Sequence, residues 1–231
     1  MNIFKLIKQR RAVRTYTDKK LSEKDIETIL QAGQYAPSPL NSQPWHFTLI
    51  RNKKNLNVLA EKAQHAPFLS EAQLLIIVTV NTKIDIDDWL KQHNQHLYSG
   101  AAAMQNMWLA ACELDIGCCW VTLDEAFTKK KILIPKEQTI IGGLALGHNK
   151  DPIKPHAKED RKALPLLTSF EKFNLQENCQ MESCYTCLKQ VPKSAANTFE
   201  GEDYIRYFCG HECYAEWQKQ TQKWLDEDNS Q

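Results

Sequence analysis

The stretch Y-S-G-A-A-A-M-Q-N-M-W-L-A-A-C-E-L, residues 98–114, runs into D-I-G-C-C-W-V-T-L, residues 115–123, and its reading decides the architecture of the chain. Ala101, Ala102, Met104, Met107, Trp108, Ala111 and Cys112 place small or apolar side chains around the whole circumference of a helix. That pattern predicts a buried element, because a surface helix keeps one polar face. A strand is predicted directly after it, over 117–123.

Working outward, Leu74 to Val80 is nearly all apolar and rich in β-branched residues, which suits a strand covered on both faces. Trp45 to Arg51 and Thr139 to Leu146 read as further strands. Ser22 with Asp25 marks a helix start, and Ile26, Ile29, Leu30 and Ala32 keep the 3.6-residue spacing up to Gly33, so a helix is predicted over 22–33. Ala36 to Pro44 holds three prolines with Ser38, Asn41 and Ser42 and reads as an ordered loop. Gly142, Gly143 and Gly147 lie within or at the end of a strand, where close packing or a bulge explains them. Helices alternating with a few short strands point to a layered α/β or α+β fold.

At 231 residues the chain holds one core domain and something smaller. Its 29 basic and 28 acidic side chains leave a net charge of +1, so no global field attracts nucleic acid or a membrane surface. No apolar run approaches the ~18 residues of a membrane span. The N-terminus lacks the apolar core of a signal peptide, and a cytoplasmic location with reduced cysteines is the default expectation. Residues 5–20 are nonetheless rich in Lys and Arg, which suggests a small anionic ligand. Arg10, Arg11 and Arg14 are its centre, since guanidinium forks match phosphate and a spacing of four lets Arg10 and Arg14 face one anion on a helix or its first irregular turn. The chain has no G-x-x-x-x-G-K-[ST] loop and no G-x-G-x-x-G, so any phosphate must be gripped mainly by side chains.

The opening R-R-A-V-R-T-Y, the loop A-P-S-P-L-N-S-Q-P-W-H-F, the buried helix ending E-L-D-I-G with C-C-W after it, the A-L-G-H strand end and K-E-D-R-K-A-L together resemble the FMN-dependent nitroreductase superfamily over about residues 3–170. The resemblance implies an α+β fold, a three-layer sandwich forming an intertwined homodimer with FMN at the subunit interface. It implies that Arg10 binds the flavin phosphate, helped by Arg11 and the backbone at Ala12, and that Arg161 closes on it from late in the chain. Arg14 then lies near the pyrimidine edge of the ring, where its charge stabilises reduced flavin. Pro37, Ser38 and Asn41 reach the FMN of the other subunit, and Trp120 and Gly147 are further cofactor-binding candidates. Ala12 replaces the usual serine, Asp115 stands where many relatives have glycine, and the region from about Asn81 to Tyr98 is short. No nucleophile–His–acid arrangement emerges, and the seven histidines read as surface or structural, with His93 and His96 as candidates for a substrate mouth.

After Asn178 the chain turns polar, aromatic and cysteine-bearing. Cys184 and Cys187 are spaced C-x-x-C, and Cys209 and Cys213 C-x-x-x-C, a pattern that supplies four thiolates to one closed tetrahedral zinc site. Tyr207, Phe208, Tyr214 and Trp217 give a small aromatic core whose folding would be coupled to metal. F-C-G-H-E-C-Y-A-E-W is similar to small treble-clef-like or metal-sensing cysteine modules. Zinc is the favoured occupant; an iron–sulfur cluster or a redox dithiol are the alternatives, with Cys179 and His211 as substitute ligands.

The expected organisation is thus a flavin domain over 1–173 and a four-cysteine zinc module over 179–225. The expected function is an FMN-dependent NAD(P)H oxidoreductase reducing nitroaromatic, quinone or similar small-molecule acceptors by a ping-pong cycle. Its homodimer would bind neither membrane nor, given the acidic Asp226-Glu227-Asp228 tail, nucleic acid. The rival expectation is a catalytically weak flavin-binding or metal-sensing, partner-binding protein on the same scaffold.

Overall fold

Leu74–Asn81 is buried along almost its whole length, and it is the strand around which the larger part of the molecule is built. The computed structural model describes residues 2–152, 161–162, 164–169, 171, 181–193, 196–200 and 205–228. Its contacts divide the chain into two compact units, Met1–His156 and Ala157–Gln231.

In the first unit the order is α1 (Ile3–Gln9), α2 (Glu23–Gln34), β1 (Trp45–Ile50), α3 (Lys53–Lys62), β2 (Leu74–Asn81), α4 (Asp88–Gln92), α5 (Gln95–Glu113), β3 (Ile116–Val121), α6 (Glu125–Ile132) and β4 (Gln138–His148). The strands form one antiparallel sheet in the order β1-β2-β4-β3. Side chains alternate along a strand, so Leu74, Ile76 and Val78 join α2 and α5 on one face. Leu75 and Ile77 join α3, the 3₁₀ turn Pro67–Ser70 and α6 on the other. The apolar run therefore has the two-sided burial expected of it, in an antiparallel sheet. Each such side chain contributes about 1.5–3 kcal/mol when fully buried.

The helix starts follow from capping. The Ser22 hydroxyl accepts the Asp25 N–H at 3.1 Å, and the Asp124 carboxylate accepts the Phe127 N–H at 2.8 Å. The β2–β4 register shifts between Val78 and Thr79, so Ile141 is bulged out. A Cβ on Gly142 would lie 2.6 Å from the Trp120 indole nitrogen, and one on Gly143 would lie 2.6 Å from Leu75, so the two glycines serve close packing.

Helix α5 differs from its sequence reading. Only Ala103, Met104, Met107 and Ala111, with its N-terminal His96, Ser99 and Gly100, are buried, while Ala101, Ala102, Trp108 and Cys112 are half-buried. One chain offers this helix one sheet face, α2 and smaller contacts with α1 and α4, which leave part of its apolar circumference uncovered.

The second unit has a 3₁₀ turn, Leu164–Leu166, and two hairpins, β5 (Met181–Ser183) with β6 (Gln190–Pro192) and β7 (Asn197–Glu200) with β8 (Ile205–Phe208). Helix α7 (His211–Asp228) follows. Cys184, Phe208 and Trp217 form its core. Among the described residues no helix is long and apolar enough to cross a membrane.

Candidate flavin and metal sites

Helix α1 stops at Gln9, and Arg10 already has extended backbone angles, φ −53° and ψ 131°. From there the chain lies along the end of β3 and β4. The Val13 N–H donates to Cys118 O at 3.0 Å, the Thr17 N–H to His148 O at 2.9 Å, and the Lys150 N–H to Thr15 O at 3.3 Å. Tyr16 is buried, and its hydroxyl lies 2.7 Å from Val13 O and 3.1 Å from Ala145 O. Burial, with Cys118 and Cys119 nearby, pushes this phenol well up from its ordinary pKa.

This path corrects the expectation that Arg10 and Arg14 share a helical turn and face one anion. The Arg10 guanidinium rests on Trp108, 4.2 Å from the ring centre, against the α2/α5 layer. Arg14 is 5.8 Å from the ring of Phe68, which belongs to the opposite layer. An extended backbone separates the two arginines and presents them to different surroundings, with exposed Ala12 between them.

Arg14 enters a cavity of about 370 Å³, also lined by Lys62, His65, Phe68, Cys119, Trp120 and the run Val121–Asp124. That volume falls in the range of small-molecule sites, about 300–1,000 Å³. Two cationic side chains, Arg14 and Lys62, face one acid, Asp124, whose carboxylate is engaged in capping α6. Cys119 and Cys118 face opposite ways, the latter into the α2/α5 core. Burial raises both thiols above their ordinary pKa, against the opposing pull of Arg14 on Cys119 and Arg10 on Cys118. Neither is a ready thiolate nucleophile. A pocket with two cationic side chains, aromatic Phe68 and Trp120 and no activated nucleophile suits a small anionic ligand with an apolar part.

The other candidates are placed as follows. Trp120 lines the cavity, and Gly147 underlies Tyr16. Pro37, Ser38 and Asn41 are not among the cavity's lining residues. Their loop leads into β1, at the opposite edge of the sheet from β3, about 14 Å away at strand spacing. Ser38 is spent on its own loop, its hydroxyl accepting the Gln43 N–H at 3.0 Å. Leu40, Asn41 and Gln43 all have positive φ, 52°, 53° and 44°, and such a cluster marks a backbone held against its preference. Arg161 falls in the second unit, and Lys158 lies outside the described residues.

The sequence reading misses Lys62, His65 and Phe68, and misses Trp108 as a partner of Arg10. All four come from segments whose local pattern is that of ordinary helix or turn, and only the fold brings them to the arginines. His93 stacks on Trp89 at 4.1 Å, and His96 is buried with its Nδ1 unpartnered; neither lines the cavity.

In the second unit the sulfur atoms of Cys184, Cys187, Cys209 and Cys213 all lie within 4.8 Å of one another. Cys187 and Cys209 are 3.6 Å apart and Cys209 and Cys213 3.4 Å. Tetrahedral coordination with Zn–S bonds of ~2.3 Å requires sulfur separations of about 3.8 Å, so the donor set and its spacing fit. Burial opposes ionisation of Cys184, but the N–H groups of Cys187, Cys209 and Thr186 aimed at it bring its pKa down to about 6. Hydrogen bonding to Cys209 and Cys187 pushes Cys213 up to about 12. His211 is not part of this group, and Cys179 lies outside the described residues.

A nitroreductase family model matches residues 7–78 and 58–148, and a model described as a domain of unknown function (DUF3330) matches residues 172–230. An Archaeoglobus fulgidus protein provisionally named NADH dehydrogenase/NAD(P)H nitroreductase is 32% identical over 165 residues, covering 68% of this chain and 91% of the relative. The FMN reductase (NAD(P)H) of Bacillus subtilis is 25% identical over 89 residues, 37% of this chain and 36% of that one. A provisionally named nitroreductase from Desulfovibrio desulfuricans, solved in complex with FMN, superposes with a TM-score of 0.64 at 28% identity, over 75% of this chain and 99% of that one. The layered antiparallel sheet, the arginine-bearing segment along its β3 edge and these matches lead to one conclusion: the chain belongs to the nitroreductase family.

Proposed function

We propose that this protein is an FMN-dependent NAD(P)H oxidoreductase, acting in the cytoplasm on nitroaromatic, quinone or similarly conjugated small acceptors. The observation that carries the proposal is the cavity at the β3 edge into which Arg14 projects, with Arg10 seated separately on Trp108. Arg10, with Arg11 and the Ala12 backbone, takes the phosphate, and Arg14 faces the ring. FMN held there would supply the redox chemistry of a ping-pong cycle between the nicotinamide and the acceptor. Arg14 and Lys62 set a positive potential over the cavity, which favours the negative charge that reduction brings. Trp120 and Phe68 wall the ring from water, and Gly147 lets Tyr16 close the end of the sheet.

The active form is read as a homodimer. The apolar sides of α5 are half-buried in one chain, and Pro37, Ser38 and Asn41 sit at the sheet edge remote from their own cavity. In a dimer they serve the FMN of the other subunit. The flavin domain is taken to run to residue 173, with Arg161 kept as a proposed cofactor-binding residue. The module over 179–225 holds zinc through Cys184, Cys187, Cys209 and Cys213.

The test is a visible spectrum of the purified full-length chain before and after NADH or NADPH. The expected result is a yellow protein, bleached by nicotinamide and recoloured by a quinone or nitroaromatic. A colourless chain that cannot be loaded with FMN overturns the proposal.

A further inference from the structure

Trp108 makes two contacts at the arginine cluster with one indole. Its ring lies 4.2 Å from the Arg10 guanidinium carbon, and its Nε1–H donates to the Arg11 carbonyl at 3.2 Å. The first contact seats the guanidinium over the ring, and the second holds the backbone one residue further on. The indole is itself held half-buried on α5 beside the core that contains Met104, Met107 and Ile116. The base of the arrangement is therefore anchored to the core.

The consequence follows from the shape of guanidinium. Stacking occupies its face and leaves the in-plane N–H donors free, and those donors are what grip a phosphate bidentately. An arginine without such a seat must be ordered when the anion arrives, at a cost in rotamer freedom. We propose that Trp108 is the positioning residue of the phosphate grip, holding Arg10 and the Arg11 backbone in the geometry that a phosphate monoester needs. The proposal rests on the reading of Arg10 as the phosphate ligand. It assigns no such role to Phe68, which sits under Arg14 in the cavity and serves the ring.

Riboflavin, which has the ring without the phosphate, separates the possibilities. Dissociation constants for FMN and riboflavin are measured on the full-length apoprotein by flavin fluorescence. Arg10→Ala should weaken FMN and spare riboflavin; if it does not, the underlying phosphate reading fails, whatever Trp108 does. Given that result, Trp108→Leu should weaken FMN by about five- to thirtyfold with riboflavin unchanged. Trp108→Phe, which keeps a face and loses the N–H, should fall between. The Arg10→Ala/Trp108→Leu double variant should bind FMN no worse than Arg10→Ala alone, because the indole acts through Arg10. Phe68→Leu should weaken both ligands by the same factor. Equal weakening of FMN and riboflavin by both Trp108 variants, unchanged FMN binding in both, or full additivity with Arg10→Ala overturns the proposal.

Discussion

The ring of Tyr16 lies directly on the backbone of Gly147: a Cβ at that position would come within 2.8 Å of Cδ1 and 2.9 Å of Cβ and Cγ of the tyrosine. Tyr16 follows Arg14 by two residues, so this contact fixes how the arginine-bearing segment meets the sheet. Gly147→Ala forces the ring outward or the segment away from β4. Overpacking of this kind costs about 1–3 kcal/mol. The expected result in urea denaturation is a midpoint lowered accordingly, together with weaker flavin retention. A variant as stable as the parent would show that the segment can shift freely.

The hydroxyl of the same tyrosine predicts a pH effect. Its folded-state pKa is raised by burial above the value of about 10 that holds in an unfolded chain. Above that pH the folded chain binds more protons than the unfolded one, so stability is complete below about pH 10 and falls as pH rises beyond it. Tyr16→Phe should lose about 1–2 kcal/mol at neutral pH, because the Val13 and Ala145 carbonyls lose their donor. Its stability should then decline less between about pH 10 and 11 than that of the parent. Parallel declines would show that Tyr16 is not the group that titrates.

Much of this fold is legible in the sequence because its signals are local. The alternation of Leu74–Val80 between two cores, the Ser22 cap and the bulge at the paired glycines each depend on a few neighbouring residues. Asp115 shows how a departure is absorbed: it adopts φ 55°, a conformation that Asp tolerates better than most residues, and its carboxylate lies 3.5 Å from the Asn149 amide. The pairing of Arg10 with Trp108 is not legible. It joins residues almost a hundred positions apart, and Trp108 in isolation is one more apolar member of a helix. The separation of Arg10 from Arg14 escapes the sequence for a related reason, since their spacing of four has meaning only if α1 continues past Gln9.

The cysteine site predicts dependence of the second unit on metal, and magnitudes make the case. Among the described residues its buried set is small: Cys184, Val191, Phe208 and Trp217, where a large apolar side chain contributes about 1.5–3 kcal/mol. A four-thiolate zinc site, worth about 10–16 kcal/mol, would contribute as much as that whole set or more. Elemental analysis should therefore find one zinc per chain without stoichiometric iron, and an iron–sulfur chromophore would reverse the assignment of the metal. Chelation, or Cys184→Ser at the fully buried ligand, should abolish hydrogen-exchange protection in β8 and α7. Protection of β2 in the first unit should persist, since its core is complete without the module. Retained protection of Ile205–Phe208 in metal-free protein would mean that the aromatic cluster of Phe208, Tyr214 and Trp217 folds by packing alone.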